Sequence, residues 1–179
     1  MKKTINVIVS TIVTIALVIS VIGVCFAVKS FITPHKQVSS VDDEESKATV
    51  SPTEESILAA VNAERAKVGV APLKLHPNIS KAAQIKSNDM IIRNYRQHKL
   101  PDDSSAIATP EMHSYIQPVC SLAGENFASD EGGITTETAM QLWLNSPTHK
   151  SAILDSKYTY TGIGVSGGKV VVQWFCVAR

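Results

Sequence analysis

Basic clusters are missing from the chain beyond Lys36, where 13 Lys and Arg stand against 16 Asp and Glu. Nucleic-acid binding relies on clustered cations to neutralise phosphates, so this composition excludes a basic footprint of that kind. Charged residues are only 18% of the 179 positions and the net charge is +1, which excludes the charge-driven disorder of a highly charged chain. No internal repeat and no HExxH metal-binding string occur, and the length admits one ordinary domain. Cysteine is scarce as well, with Cys25, Cys120 and Cys176 the full set.

Acids are absent from residues 1–36, and every charge is absent from Ile5 to Val28, INVIVSTIVTIALVISVIGVCFAV. A span of that length matches the roughly 20 apolar residues that carry a helix across hydrocarbon. Residues 5–28 are therefore expected to be a transmembrane signal-anchor behind a cytoplasmic tail, residues 1–4. Lys2, Lys3 and the terminal amine favour an inside amino terminus and an extracytoplasmic body, although Lys29 and Lys36 weaken that bias. The alternative is a signal peptide cleaved after Ala27, with Cys25 at −3, and a secreted body; its apolar region would exceed the roughly 7 to 15 residues usual for a signal. Residues 29–50 read as a polar linker, its run Asp42, Asp43, Glu44 and Glu45 a solvated tether. Residues 51–179 are long enough to bury a core.

Ser51-Pro52-Thr53-Glu54 predicts a helix start, with a capping hydroxyl, a proline at the first helical position and a glutamate reaching back to the cap. Ile57, Leu58, Val61 and Val68 supply its apolar stripe and Gly69 its end. Val70 to Leu75 is expected to be extended, because Pro72 restricts its neighbours. A second helix is predicted from Asn78 to about Tyr95, with Ile79, Ala82, Ala83, Lys86 and Met90 on one side. Lys99 to Leu122, rich in Pro, Ser and Asp, reads as a long surface excursion.

Thr135 or Thr136 is expected to cap a short helix that turns Ala139, Met140 and Trp143 inward. Ser146-Pro147 opens another before Ile153 and Leu154. Tyr158 to Val165 and Lys169 to Cys176 then flank Ser166-Gly167-Gly168, a hairpin signal. Helices followed by a terminal hairpin indicate an α+β layered domain. Gly162 to Gly167 matches a dinucleotide fingerprint and Gly164 to Gly168 a nucleophile elbow. Both need a helix where a strand follows, so both are assigned to turn glycine.

Six segments occur together in order: Val61-Asn62-Ala63-Glu64-Arg65, Pro72-Leu73, Tyr95-Arg96-Gln97-His98, Gly124-Glu125-Asn126, Trp143-Leu144-Asn145-Ser146-Pro147-Thr148-His149, and Gly162-Ile163-Gly164-Val165. In that order and spacing the chain resembles bacterial CAP, or SCP-like, domains: the superfamily of cysteine-rich secretory proteins, antigen five and pathogenesis-related proteins. The resemblance covers nearly all of 51–179. It implies a three-layer α-β-α sandwich with a cleft that gathers His98, Glu125 and His149. Many relatives carry a second glutamate three residues after the tryptophan; here Ser146 stands there. His113 remains an alternative to His98, although Tyr95 three residues earlier favours His98 in the family pattern.

His149, in the first turn of its helix, is expected to stay neutral, as a metal ligand must. His98 and His149 are thus candidate ligands for zinc or another divalent metal, with Glu125 as the candidate catalytic base. The plainer reading of Glu125 is a carboxylate that holds a loop. Asn126 and Trp143 are assigned to architecture. Cys120 and Cys176 both lie in the body, so one disulfide is the simplest pairing and two free thiols the alternative. Asn78-Ile79-Ser80 is a glycosylation sequon, relevant only to a eukaryotic secretory route. The leading expectation is a noncatalytic extracytoplasmic module that binds a cell-envelope ligand or protein partner through the His/Glu cleft. A metal-assisted hydrolase, such as a peptidase, and a lipid or sterol binder are the alternatives.

Overall fold

The computed structural model describes residues 51–179. The expected membrane segment and linker lie outside the described residues. Among the described residues no helix is long and apolar enough to cross a membrane.

Five helices, α1 (Glu54–Lys67), α2 (Pro77–Ile92), α3 (Pro110–Ile116), α4 (Thr136–Asn145) and α5 (Pro147–Leu154), accompany four strands, β1 (Lys74–Leu75), β2 (Cys120–Ser129), β3 (Tyr160–Ser166) and β4 (Val170–Ala178). The strands form one mixed sheet in the order β1-β3-β4-β2. β1 is parallel to β3, and β4 is antiparallel to both β3 and β2.

Helices cover both sides of this sheet, because successive strand residues point to opposite faces. Along β4, Val170, Val172, Trp174 and Cys176 pack in one apolar cluster with Ile79, Ala83 and Met90 of α2 and Met112 and Ile116 of α3. Val171 and Phe175 join Ile57 and Val61 of α1, Met140 and Trp143 of α4, and Ile153 of α5 in the other. A strand buried on both faces loses polar alternation, which accounts for the apolar run in β4. Its polar interruption, Gln173, is fully buried and donates through Nε2 to Thr161 Oγ1 at 3.1 Å.

Several expectations shift in detail. The cap of α1 is Thr53, which exchanges hydrogen bonds with Ser56, not Ser51 with Glu54. Pro52 and Ile57, both buried, hold the two positions of a hydrophobic staple. Glu54 instead accepts the hydroxyl of Ser80 on α2. Val68 follows the last turn of α1 and is 57% exposed, while Arg65 fills the inner face. The stretch Lys99 to Leu122 is only partly a surface excursion. Thr109 caps α3 with Pro110 at its first position, and Leu100, Ala108, Met112 and Ile116 are buried. β2 was not foreseen; its residues Cys120 to Ser129 include Gly124 and Ser121 and lack a clean period-2 pattern. Gly167 and Gly168, with φ of 60° and 61°, make the hairpin turn. Gly162 and Gly164 lie in β3 itself, so turn chemistry does not explain them.

Cys120 and Cys176 form a disulfide with Cα atoms 5.3 Å apart, joining the start of β2 to the end of β4 across a sequence separation of 56. Closing a loop of that length constrains the unfolded chain. Replacing both cysteines by serine is expected to lower unfolding stability by about 2–4 kcal/mol, read from denaturant midpoints. An unchanged midpoint would show that the bridge constrains nothing the sheet does not already hold.

Candidate functional site

Three segments converge at the middle of β2. α2 ends at Ile92, and Asn94, in the left-handed region at φ 51°, turns the chain towards Tyr95-Arg96-Gln97-His98. The Arg96 guanidinium fixes that turn by donating to the carbonyls of Met90 and Tyr95, each at 2.9 Å. On β2, Glu125 and Phe127 share a face, being two residues apart. His98 meets both. Its Nδ1 lies 2.9 Å from Glu125 Oε1, and its ring stands edge-on to Phe127 with centroids 4.9 Å apart.

His149 arrives from the first turn of α5, which Ser146 caps and Pro147 opens. The serine at the place of the family's second acid thus serves the helix start. Asn126 Nδ2 donates to the His149 carbonyl at 3.1 Å, tying α5 to β2. The rings of His98 and His149 stand 5.8 Å apart between centroids, inclined by 62°. The expected trio is therefore gathered in one place. His113 lies elsewhere: exposed on α3, it lines a hollow of about 270 Å³ with Ile107, Gln117, Leu122 and Arg179.

The environment of the trio is uneven. The Glu125 side chain is 1% exposed and that of His98 41%. Burial raises the Glu125 pKa above the usual carboxylate range, opposed by the His98 hydrogen bond and the positive Lys86. Its Oε2 is buried without a hydrogen-bond partner. His149 is pushed down, first by burial and then by the neighbouring His98, so it favours the neutral ring for a reason beyond the helix position. An ionised carboxylate only accepts, so in the pair with ionised Glu125 the His98 Nδ1–H donates, and a neutral ring keeps its lone pair at Nε2.

Folded Glu125 keeps its proton to higher pH than the unfolded chain, whose reference value is 4.5. Folding consequently takes up a proton in the window between the two values, and stability rises as pH falls through it. Glu125→Gln has no carboxylate to titrate and should lack that rise. The melting temperature of the wild type minus that of the variant is expected to rise from neutral pH down to 4.5; a constant difference would contradict the buried carboxylate.

For a metal, the donor set is short. Among the described residues no group of three or more His, Cys, Asp or Glu side chains is placed to hold an ion. His98 and His149 offer two imidazoles, and Glu125 is spent on His98, whereas a catalytic zinc centre takes three protein ligands. The residues described do not fit such a centre. Beside Glu125 opens a hollow of about 420 Å³, lined by Asn126, Thr148, Ser151, Asp155 and Tyr158 among others. Phe127 and Lys86 were missed as members of the site. The signal for Lys86 was a lysine on the apolar side of α2; Phe127 gave none, because β2 went unrecognised.

Residues 58–178 match the family model described as "CAP: Cysteine-rich secretory protein family". The uncharacterized protein YkwD of Bacillus subtilis is 35% identical over 129 residues, 72% of this chain and 48% of that protein. The uncharacterized membrane protein YlbC of the same organism is 34% identical over 126 residues, 70% of this chain and 35% of that protein. The chain thus spans less than half the length of either relative. The crystal structure of an extracellular SCP-domain protein from Bacillus anthracis superimposes with a TM-score of 0.59 at 28% identity, covering 69% of this chain and 39% of that one. With the family pattern matched over most of its length and the same fold beneath it, the chain belongs to the CAP, or cysteine-rich secretory protein, family.

Proposed function

We propose that the protein is an extracytoplasmic binding module, tethered by residues 5–28, that takes a cell-envelope ligand through the His98–Glu125–His149 cleft without chemically altering it. The observation that carries this reading is the pairing of a half-exposed imidazole with a carboxylate that solvent does not reach, 41% against 1% exposed. That arrangement fixes a ring for recognition. A general base must come within about 2.6–3.2 Å of the proton it removes. Glu125 is enclosed, with one oxygen on His98 and the other buried, so it is poorly placed for that work. Nor does the body offer a thiol nucleophile, since Cys120 and Cys176 are bonded to each other. The hollow that Glu125 shares with Thr148, Ser151, Asp155 and Tyr158 is lined by neither histidine, but its residues are polar enough to suit a polar ligand. Export agrees with the disulfide, which persists in oxidising compartments, with the extracellular protein from Bacillus anthracis, and with the membrane protein YlbC.

The test is co-sedimentation of the full-length chain in detergent with purified cell-wall fragments. Saturable binding is expected, weakened at least about tenfold, or 1.4 kcal/mol, by His98→Ala with His149→Ala, and the fragments should be recovered intact. Undiminished binding by the double variant would place the contact elsewhere, and cleaved fragments would make the protein an enzyme.

A further inference from the structure

Lys86 is fully buried on the inner side of α2, a setting lysine rarely occupies without a partner. Its partners are not carboxylates. Nζ donates to the carbonyl of His98 at 2.5 Å and to that of Ile107 at 2.9 Å, and lies 5.3 Å from the centre of the Tyr95 ring. The nearby acids are committed elsewhere. Asp89 accepts from the Arg93 guanidinium at 2.8 and 2.7 Å and from the Tyr95 hydroxyl at 2.6 Å, while Glu125 holds His98.

The two carbonyls that Lys86 grips bracket one loop. Leu100 N donates to Ala106 O at 2.8 Å within it, so the ammonium closes the loop at its base. His98 stands at the first of those two points. We propose that Lys86 is the positioning residue of the cleft: by holding the His98 carbonyl and standing as a positive charge behind Glu125, it keeps Nδ1 on the carboxylate and Nε2 turned to the ligand. Burial lowers the Lys86 pKa and raises that of Glu125, and each group's charge opposes the shift of the other, so the two are electrostatically coupled. This inference rests on the cleft being the ligand face, but its readout needs no ligand, so the two fail separately.

The experiment is proton-exchange NMR of the full-length chain in detergent at one neutral pH, with ¹⁵N-labelled histidine and tryptophan, on the wild type, Lys86→Met, Lys86→Gln and Lys86→Arg. In the wild type the His98 ring should be the Nδ1–H tautomer with a protected proton; an Nε2–H tautomer would overturn the proposal without any variant. In Lys86→Met that proton should exchange at least tenfold faster, and Lys86→Arg should restore it. The indole N–H groups of Trp143 and Trp174, both buried, report opening of the whole fold and should not follow. Unchanged His98 exchange, or acceleration of equal size at His98 and both indoles, would reduce Lys86 to a structural lysine. If the methionine variant does not fold, Lys86→Gln against Lys86→Arg decides by the same criterion.

Discussion

Gly164→Ala is expected to lose most of the folding stability of the domain. A Cβ at that position would stand 2.3 Å from the Ala83 carbonyl carbon and 2.4 Å from the amide nitrogen of Gln84. At Gly162 it would stand 2.1 Å from Ser80 N and 2.2 Å from the Ile79 carbonyl carbon. These obstacles are backbone, so no rotamer change relieves them. The spacing explains why there are two glycines. Two residues along a strand advance about 6.8 Å and four along a helix about 6 Å, so alternate residues of β3 meet successive turns of α2. The helix lies directly on the strand there, with Ala82 and Ala83 completing the contact. Overpacking usually costs about 1–3 kcal/mol; against main chain on both sides the loss should reach about 4 kcal/mol or more. Thermal unfolding should show a fall on the order of 10 °C or more. A fall within about 2 °C would mean that α2 slides freely on the sheet.

Arg65→Met should be nearly as damaging, although it removes a charge from the interior. The side chain is fully buried. Its Nε donates to Ala71 O at 2.7 Å, Nη1 to Ile153 O at 2.7 Å and Asp155 O at 3.0 Å, and Nη2 to Tyr158 O at 3.1 Å. One planar fork thereby joins the turn after α1, the end of α5 and the approach to β3. Methionine matches the stem and leaves four carbonyls without that donor, which should cost about 3–5 kcal/mol. Lysine keeps the charge but lacks the fork, and should recover less than half of the loss. Denaturant unfolding of the three proteins reads both effects; full rescue by lysine would show that charge alone matters. Because α5 carries His149, the variant should also weaken ligand binding before it unfolds.

Much of this arrangement was legible in the chain because it is local. Pro147 follows the capping hydroxyl of Ser146 at its helix start, and Ala139, Met140 and Trp143 all face inward as their spacing predicts. The family segments also acquire physical reasons. Asn62 and Leu73 exchange hydrogen bonds at 2.8 and 3.0 Å, so a side chain on α1 sets the strand that follows. What escaped was tertiary. Nothing near Arg65 in the chain shows that the carbonyls of Ile153, Asp155 and Tyr158 converge on it. β2 escaped because its pairing with β4, from Cys120 opposite Ala178 to Ser129 opposite Val170, is long-range and its own composition is mixed. The glycines of β3 were read as turn residues because close approach of a helix leaves no trace in the strand itself. The trio of the cleft came from family resemblance; spacing alone would not have joined His98 to Glu125 or either to His149.

The chain has five histidines, His35, His76, His98, His113 and His149, and this allows a direct test of the cleft. The measurement is side-chain ¹H–¹⁵N NMR of the full-length protein, with soluble cell-wall fragments added stepwise. Ring signals of His98 and His149 should move together and saturate, while those of His35, His76 and His113 stay still. Saturating shifts at His113, or none at His98 and His149, would contradict the cleft as the ligand site.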